Sequence, residues 1–126
     1  MATLVKIGLI ELAIAALSGW AMVVMVERPD WLERAGIRAS GRIRQAHLDL
    51  IFMGLILVVV GVAVHPIPTW IATLLVVGAF LQPVLFLPLA ARPEVQGHPF
   101  YKAVAAAFFV GFSTAWVALA ILILER

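Results

Sequence analysis

Cysteine is absent from the chain, which removes disulfides, thiolate metal sites and cysteine nucleophiles together. Charge is scarce: 13% of residues are Asp, Glu, Lys or Arg, against roughly 25% in a soluble domain, while 64% are hydrophobic and the mean hydropathy is +1.11. There is no Gly-rich phosphate loop, no pair of histidines at metal-site spacing and no Ser, His and Asp within reach of one another. Ordinary hydrolase or kinase chemistry therefore has no residues to carry it. The shortage of polar side chains excludes a water-soluble fold. The formal net charge of +2 comes from arginines beside apolar runs, a placement that suits lipid headgroups and not nucleic acid.

What the chain does have is long apolar runs. Four stretches are each long enough to cross a ~30 Å hydrocarbon core as a helix: residues 3–26, 43–64, 69–91 and 103–124. The fold class expected is an all-α membrane protein, a bundle of four transmembrane helices forming a single domain over residues 1–126. The first run is longer than a signal-peptide core and has no small-residue cleavage site at its end, so it reads as a retained span. His65-Pro66-Ile67-Pro68 is too short and too rich in proline to continue one helix, which makes spans 2 and 3 antiparallel neighbours. The longer connection from Glu27 to Arg42 holds Asp30 and Glu33 at capping-box spacing ahead of Gly36, and a brief interfacial helix is expected there. A bundle this small has little interior, so any site larger than an ion is expected to be shared between copies.

Lys and Arg set the orientation. Arg28, Arg34, Arg38, Arg42, Arg44, Arg92 and Lys102 flank the first and third connections, whereas Lys6 and Arg126 lie at the other end. The positive-inside rule puts those two connections in the cytoplasm and both termini outside. Trp70 and Tyr101 fall near span ends, where aromatic rings favour the interface. In span 4, Ala103, Ala107, Gly111 and Ala115 recur every fourth residue, a stripe on which helix backbones approach closely within or between protomers.

Polar residues inside spans are few, and each is a candidate for function because polar groups are expensive in lipid. His47 is the one histidine within a span, since His65 and His98 fall in connections. It is the natural metal-ligand candidate, with hydrogen bonding to another helix as the alternative. Its helical face continues through Leu50, Ile51, Gly54, Val58 and Gly61, a groove open to a flat apolar macrocycle or to another helix. Asp49 points about 200° away from His47. Arg42, Gln45 and Asp49 are spaced by three and four residues, which favours a local ion pair. Glu11 has no basic residue of its own span within one turn, so its carboxyl is either protonated or paired across helices. Pro83 and Pro88 predict a kinked third span, with Gln82 placed either to satisfy the freed backbone or to face a ligand cavity.

The run Arg44-Gln45-Ala46-His47-Leu48-Asp49-Leu50-Ile51-Phe52-Met53-Gly54 resembles the Arg-x-Ala-His segment of styrene oxide isomerases and the Ala-His-Leu-acid segment of hydroxylaminobenzene mutases. These are small four-span membrane proteins of one apparent superfamily. The likeness extends to Leu17-Ser18-Gly19 in span 1, the short link after span 2 and an amide in span 3. It implies a homotrimer in a bacterial cytoplasmic membrane that binds heme b, with His47 as axial ligand. The iron would act as a Lewis acid on a small apolar substrate such as an epoxide. Gln82 is then the expected catalytic polar group, Gly54 a cofactor-contacting position, and Met53 and Phe86 the walls of the substrate pocket. One histidine per chain leaves an open sixth position on the iron. Where these relatives carry asparagine, six residues after the histidine, this chain has Met53, which cannot hydrogen-bond an epoxide in the same way. Their polar residues of span 3 align with Gly78, Gln82 and Phe86, of which Gln82 alone is polar, so a changed substrate, or a changed activity, is expected. Two other classes share parts of the pattern. Small multidrug transporters also combine four spans with a span 1 glutamate that exchanges protons for cationic drugs, which here would be Glu11. A non-catalytic membrane subunit or scaffold needs no site at all.

Overall fold

The computed structural model describes residues 2–126 and is helical throughout its ordered elements. These are α1 (Thr3–Glu27), α2 (Pro29–Arg34), α3 (Gly41–Ala63), α4 (Thr69–Val84), α5 (Phe86–Ala91), a 3₁₀ turn (Pro93–Gly97) and α6 (Pro99–Leu124). Four units are long and apolar enough to cross a membrane: α1, α3, α4 with α5, and α6, of 25, 23, 23 and 26 residues. At 1.5 Å per residue each is about 35 Å or more, the thickness of a hydrocarbon core with a little to spare.

The helices form a folded row. α1 runs along α3, α3 packs on α4, α6 packs on the other side of α4, and α1 touches α4 only lightly. Among the described residues α6 meets neither α1 nor α3. The fully buried apolar core lies along α4, between α3 on one side and α6 on the other, where Leu57, Leu75, Ala79 and Ala115 have no solvent exposure. The small-residue stripe of α6 is only half used. Ala115 is buried and Gly111 approaches Leu74 of α4, whereas Ala103 and Ala107 are exposed.

Close approach of α1 to α3 depends on glycine. A Cβ on Gly8 would lie 2.8 Å from the carbonyl oxygen of Gly54 and 2.9 Å from the backbone nitrogen of Val58. One on Gly61 would lie 2.9 Å from the backbone nitrogen of Val5. Apolar attraction does not drive helices together in lipid, so backbone proximity of this kind supplies the van der Waals contact that holds the pair.

The third span breaks where its prolines require it. α4 ends at Val84 and α5 begins at Phe86, with Leu85 between them. Pro88 lacks an N–H and its ring crowds the carbonyl one turn earlier. The Tyr101 hydroxyl donates to the Leu85 carbonyl at 2.6 Å, which fastens the kink to α6.

The first connection holds the expected short helix, but its cap differs from expectation. α2 begins at Pro29 with Arg28 in the cap position and no side-chain cap, so Asp30 lies inside the first turn and no capping box forms. Proline needs no N–H partner at a helix start, which moves the boundary one residue forward. Asp30 bonds Arg28 at 3.4 Å, and the Arg28 guanidinium lies 4.7 Å from the centre of the Trp31 ring. Gly36, with φ of +88°, turns the chain out of the helix as a glycine can. The backbone amides of Arg38 and Ala39 then donate to the carbonyl of Ala90 at 2.8 and 2.9 Å. Arg38 pairs with Glu94, and Arg42 donates to Gln96 at 3.2 Å. These bonds tie the two arginine-rich connections together at one end of the bundle. α6 starts at Pro99, ahead of the expected residue 103, because His98 caps it through Nδ1, which accepts from the Phe100 amide at 3.1 Å.

Candidate functional site

His47 lies near the start of α3 and turns its ring toward α1. Its Nδ1 is 2.7 Å from the Ser18 hydroxyl oxygen, and the same hydroxyl is 2.7 Å from the Ala15 carbonyl, one turn back along α1. A serine hydroxyl has one proton. With that proton on the Ala15 carbonyl, the contact to His47 requires Nδ1 to carry a hydrogen and to donate it to the serine oxygen. In the neutral form of the ring this leaves the lone pair on Nε2. A neutral imidazole oriented from behind through Nδ1 is the arrangement that metal-bound histidines use. Gly19 stands beside the ring edge: a Cβ there would lie 3.6 Å from Cε1, an ordinary contact.

The groove that continues from His47 along α3 is filled by a helix. A Cβ on Gly54 would lie 2.9 Å from Leu12 and 3.1 Å from the Gly8 carbonyl oxygen, so this glycine serves the α1–α3 contact and offers no surface to a macrocycle within the chain. Met53 is buried in the core with Leu57 and with Leu75 and Ala79 of α4, about 120° round α3 from His47. Phe86, at the start of α5, is half-buried. The Gln82 side-chain Nε2 is buried without a hydrogen-bond partner, so it does not satisfy the backbone carbonyl freed by Pro83. The imidazole thus faces one flank of α3, while Met53 and α4, which carries Gln82, lie toward the other.

The ion pair expected of Asp49 does not form. Arg42 is drawn to Gln45 at 2.9 Å and to Gln96 across the connections, and two full turns of helix separate it from Asp49. Glu11 is completely buried on α1, and both its oxygens lack a hydrogen-bond partner among the described residues. No group of three or more His, Asp or Glu side chains converges on a point among the described residues. A lone, pre-oriented histidine suits a metal whose remaining ligands come with it, as in a porphyrin, better than a free ion.

The contact of Ser18 with His47 is one that spacing and composition do not reveal. A serine in an apolar span usually bonds its own helix, as Ser18 does, and only the register of α1 on α3 reveals its second partner. The sequence signal for it is the Leu17-Ser18-Gly19 segment.

Fold and site together define a four-span helical membrane protein with one intramembrane histidine held from behind at a helix–helix edge. Compared with family models, with curated proteins and with solved structures, the chain matches none.

Proposed function

We propose that this protein is a heme b-binding isomerase of a bacterial cytoplasmic membrane, acting as a homotrimer on a small apolar molecule that arrives through the bilayer. The observation that carries the reading is the Ser18–His47 clamp. It orients the ring and leaves Nε2 as the ligand atom. When bound, heme b supplies a Lewis-acidic iron with one free coordination position. Gln82 provides buried N–H donors without a partner for a substrate oxygen. Met53 and Phe86 provide apolar walls, and the methionine favours a substrate that needs no hydrogen bond at that point. The joined arginine-rich connections face the cytoplasm on this reading, with both termini outside.

The test is the absorption spectrum of the protein purified in mild detergent, before and after reduction with dithionite. A Soret band that His47→Ala removes supports the proposal and justifies screening epoxides and arylhydroxylamines. A colourless protein that takes up no added heme sinks it and leaves the reading of a non-catalytic subunit, which should co-purify with a larger complex. Ser18→Ala separates the ligand from its support. The variant is expected to fold normally and to bind heme about 10–100-fold more weakly, measured by heme titration of the apoprotein; unchanged affinity would remove the clamp from the argument.

The complete burial of Glu11 without a partner favours one second reading, proton-coupled transport of lipophilic cations. It requires tetraphenylphosphonium binding that varies with pH in the native protein and no longer does so in Glu11→Gln. Asp49 of α3, the carboxylate of the neighbouring span, is tested alongside as Asp49→Asn. A flat profile in the native protein ends this reading.

A further inference from the structure

At the end of the bundle opposite His47, the glycine-mediated approach of α1 to α3 leaves α4 a step away, and a cleft of about 410 Å³ opens between α1 and α4. Ile7, Ala72 and Val76 line its apolar depth. It follows α4 from Thr69 to Val77, a descent of about 12 Å from the membrane surface at 1.5 Å per residue. Its volume is at the lower end of the roughly 300–1,000 Å³ of small-molecule pockets.

The rim differs from the depth. Thr3 opens α1 and Thr69 opens α4, both line the cleft, and neither helix has a side-chain cap. Two sets of unpaired first-turn amides, each at the positive end of a helix dipole, therefore open at one mouth. His65 lines the same mouth, and the Arg126 guanidinium bonds the carbonyl of Pro66 beside it. Lys6 is exposed on the adjacent turn of α1. Glu125, exposed next to Arg126, is the one acidic side chain at this end of the bundle among the described residues. Lys6 and Arg126 outnumber Glu125 at this mouth, and the interior is apolar with room for the first part of one alkyl chain.

We propose that this cleft binds a long-chain fatty acid, with its carboxylate at the rim formed by His65, Arg126 and the two helix starts, the part of its chain nearest the carboxylate along Ile7, Ala72 and Val76, and the remainder in the bilayer. The inference is independent of heme binding at the other end of the bundle.

The experiment uses the full chain in phosphatidylcholine nanodiscs, labelled with a diazirine-bearing stearic acid and mapped by mass spectrometry. Adducts are expected on residues 2–7 and 69–77, which bracket the cleft walls, and excess stearate should displace them. Ala72→Trp, which fills the cleft, is expected to lower labelling about tenfold or more. The double variant His65→Gln, Arg126→Gln should lower it by about fivefold, because exposed charges contribute modestly. Both of its side chains are exposed, so it carries the test alone should Ala72→Trp fail to fold. The proposal is overturned if methyl stearate competes as well as stearate, since the rim then recognises no charge. It is also overturned if adducts survive both variants, or if a diazirine-bearing phosphatidylglycerol labels the cleft and stearate does not displace it, which would make the occupant an ordinary bilayer lipid.

Discussion

His47→Ala is expected to abolish heme binding while leaving the yield and monodispersity of the protein unchanged. The ring is half-buried at the edge of α1 and α3, and its one hydrogen bond is to a serine that already satisfies its own helix. Removing the imidazole therefore leaves no buried polar group stranded. The loss should reach the whole Soret absorbance, because no other histidine lies within a span. His98 is engaged in capping α6, and His65 sits at the far end of the bundle. Exogenous imidazole is expected to restore part of the absorbance in the variant, an outcome that a merely misfolded protein would not show. Full heme content in purified His47→Ala would refute the assignment of the ligand.

The second large effect is on the α1–α3 pair. Gly8→Ala places its methyl group 2.8 Å from a backbone oxygen and 2.9 Å from a backbone nitrogen of α3. Neither atom can move without displacing the helix, so the variant is expected to lose about 1–3 kcal/mol of stability. Gly54→Ala meets only the side chain of Leu12 at comparable distance, with Gly8 further off at 3.1 Å, and should lose less because a leucine tip can rotate. Gly111→Ala, whose nearest neighbour is Leu74 at 3.7 Å, is the matched control and should be near neutral. Denaturation by sodium dodecyl sulfate in mixed micelles gives the order. Equal stability of Gly8→Ala and Gly111→Ala would show that α1 does not rest on α3 as closely as described. Because the Ser18–His47 bond spans the same interface, Gly8→Ala is also expected to weaken heme binding although it lies far along the helix from the ring.

The expected ends of the spans agree closely with the helices, and the exceptions have local causes. Helix α6 begins early because the His98 side chain and Pro99 form a start signal together, which a hydropathy window cannot register. The capping box at Asp30 and Glu33 fails because Pro29 begins the helix ahead of it. Spacing proposed Arg42 as the partner of Asp49, yet Arg42 is taken by Gln45 and by Gln96 of the next connection. A contact with residue 96 cannot be anticipated from the helix that carries residue 42.

The sequence by itself determined that the chain lives in a membrane, that it has four spans and that the third is broken by its prolines. These are consequences of composition and of the local backbone, and they need no knowledge of neighbours. It also narrowed the chemistry to a few side chains, with His47, Glu11 and Gln82 among them, because polar groups in lipid are rare. Which partner each of those groups meets was decided only by the tertiary structure. The glycines at 8, 54 and 61 set the register of α1 on α3, and that register puts Ser18 behind His47, fills the groove at Gly54 with a helix, leaves Glu11 enclosed without a partner and opens the cleft on α4. The reason is physical: in lipid, helices associate through shape and hydrogen bonding at close range, and those terms depend on how two surfaces are aligned and not on the composition of either.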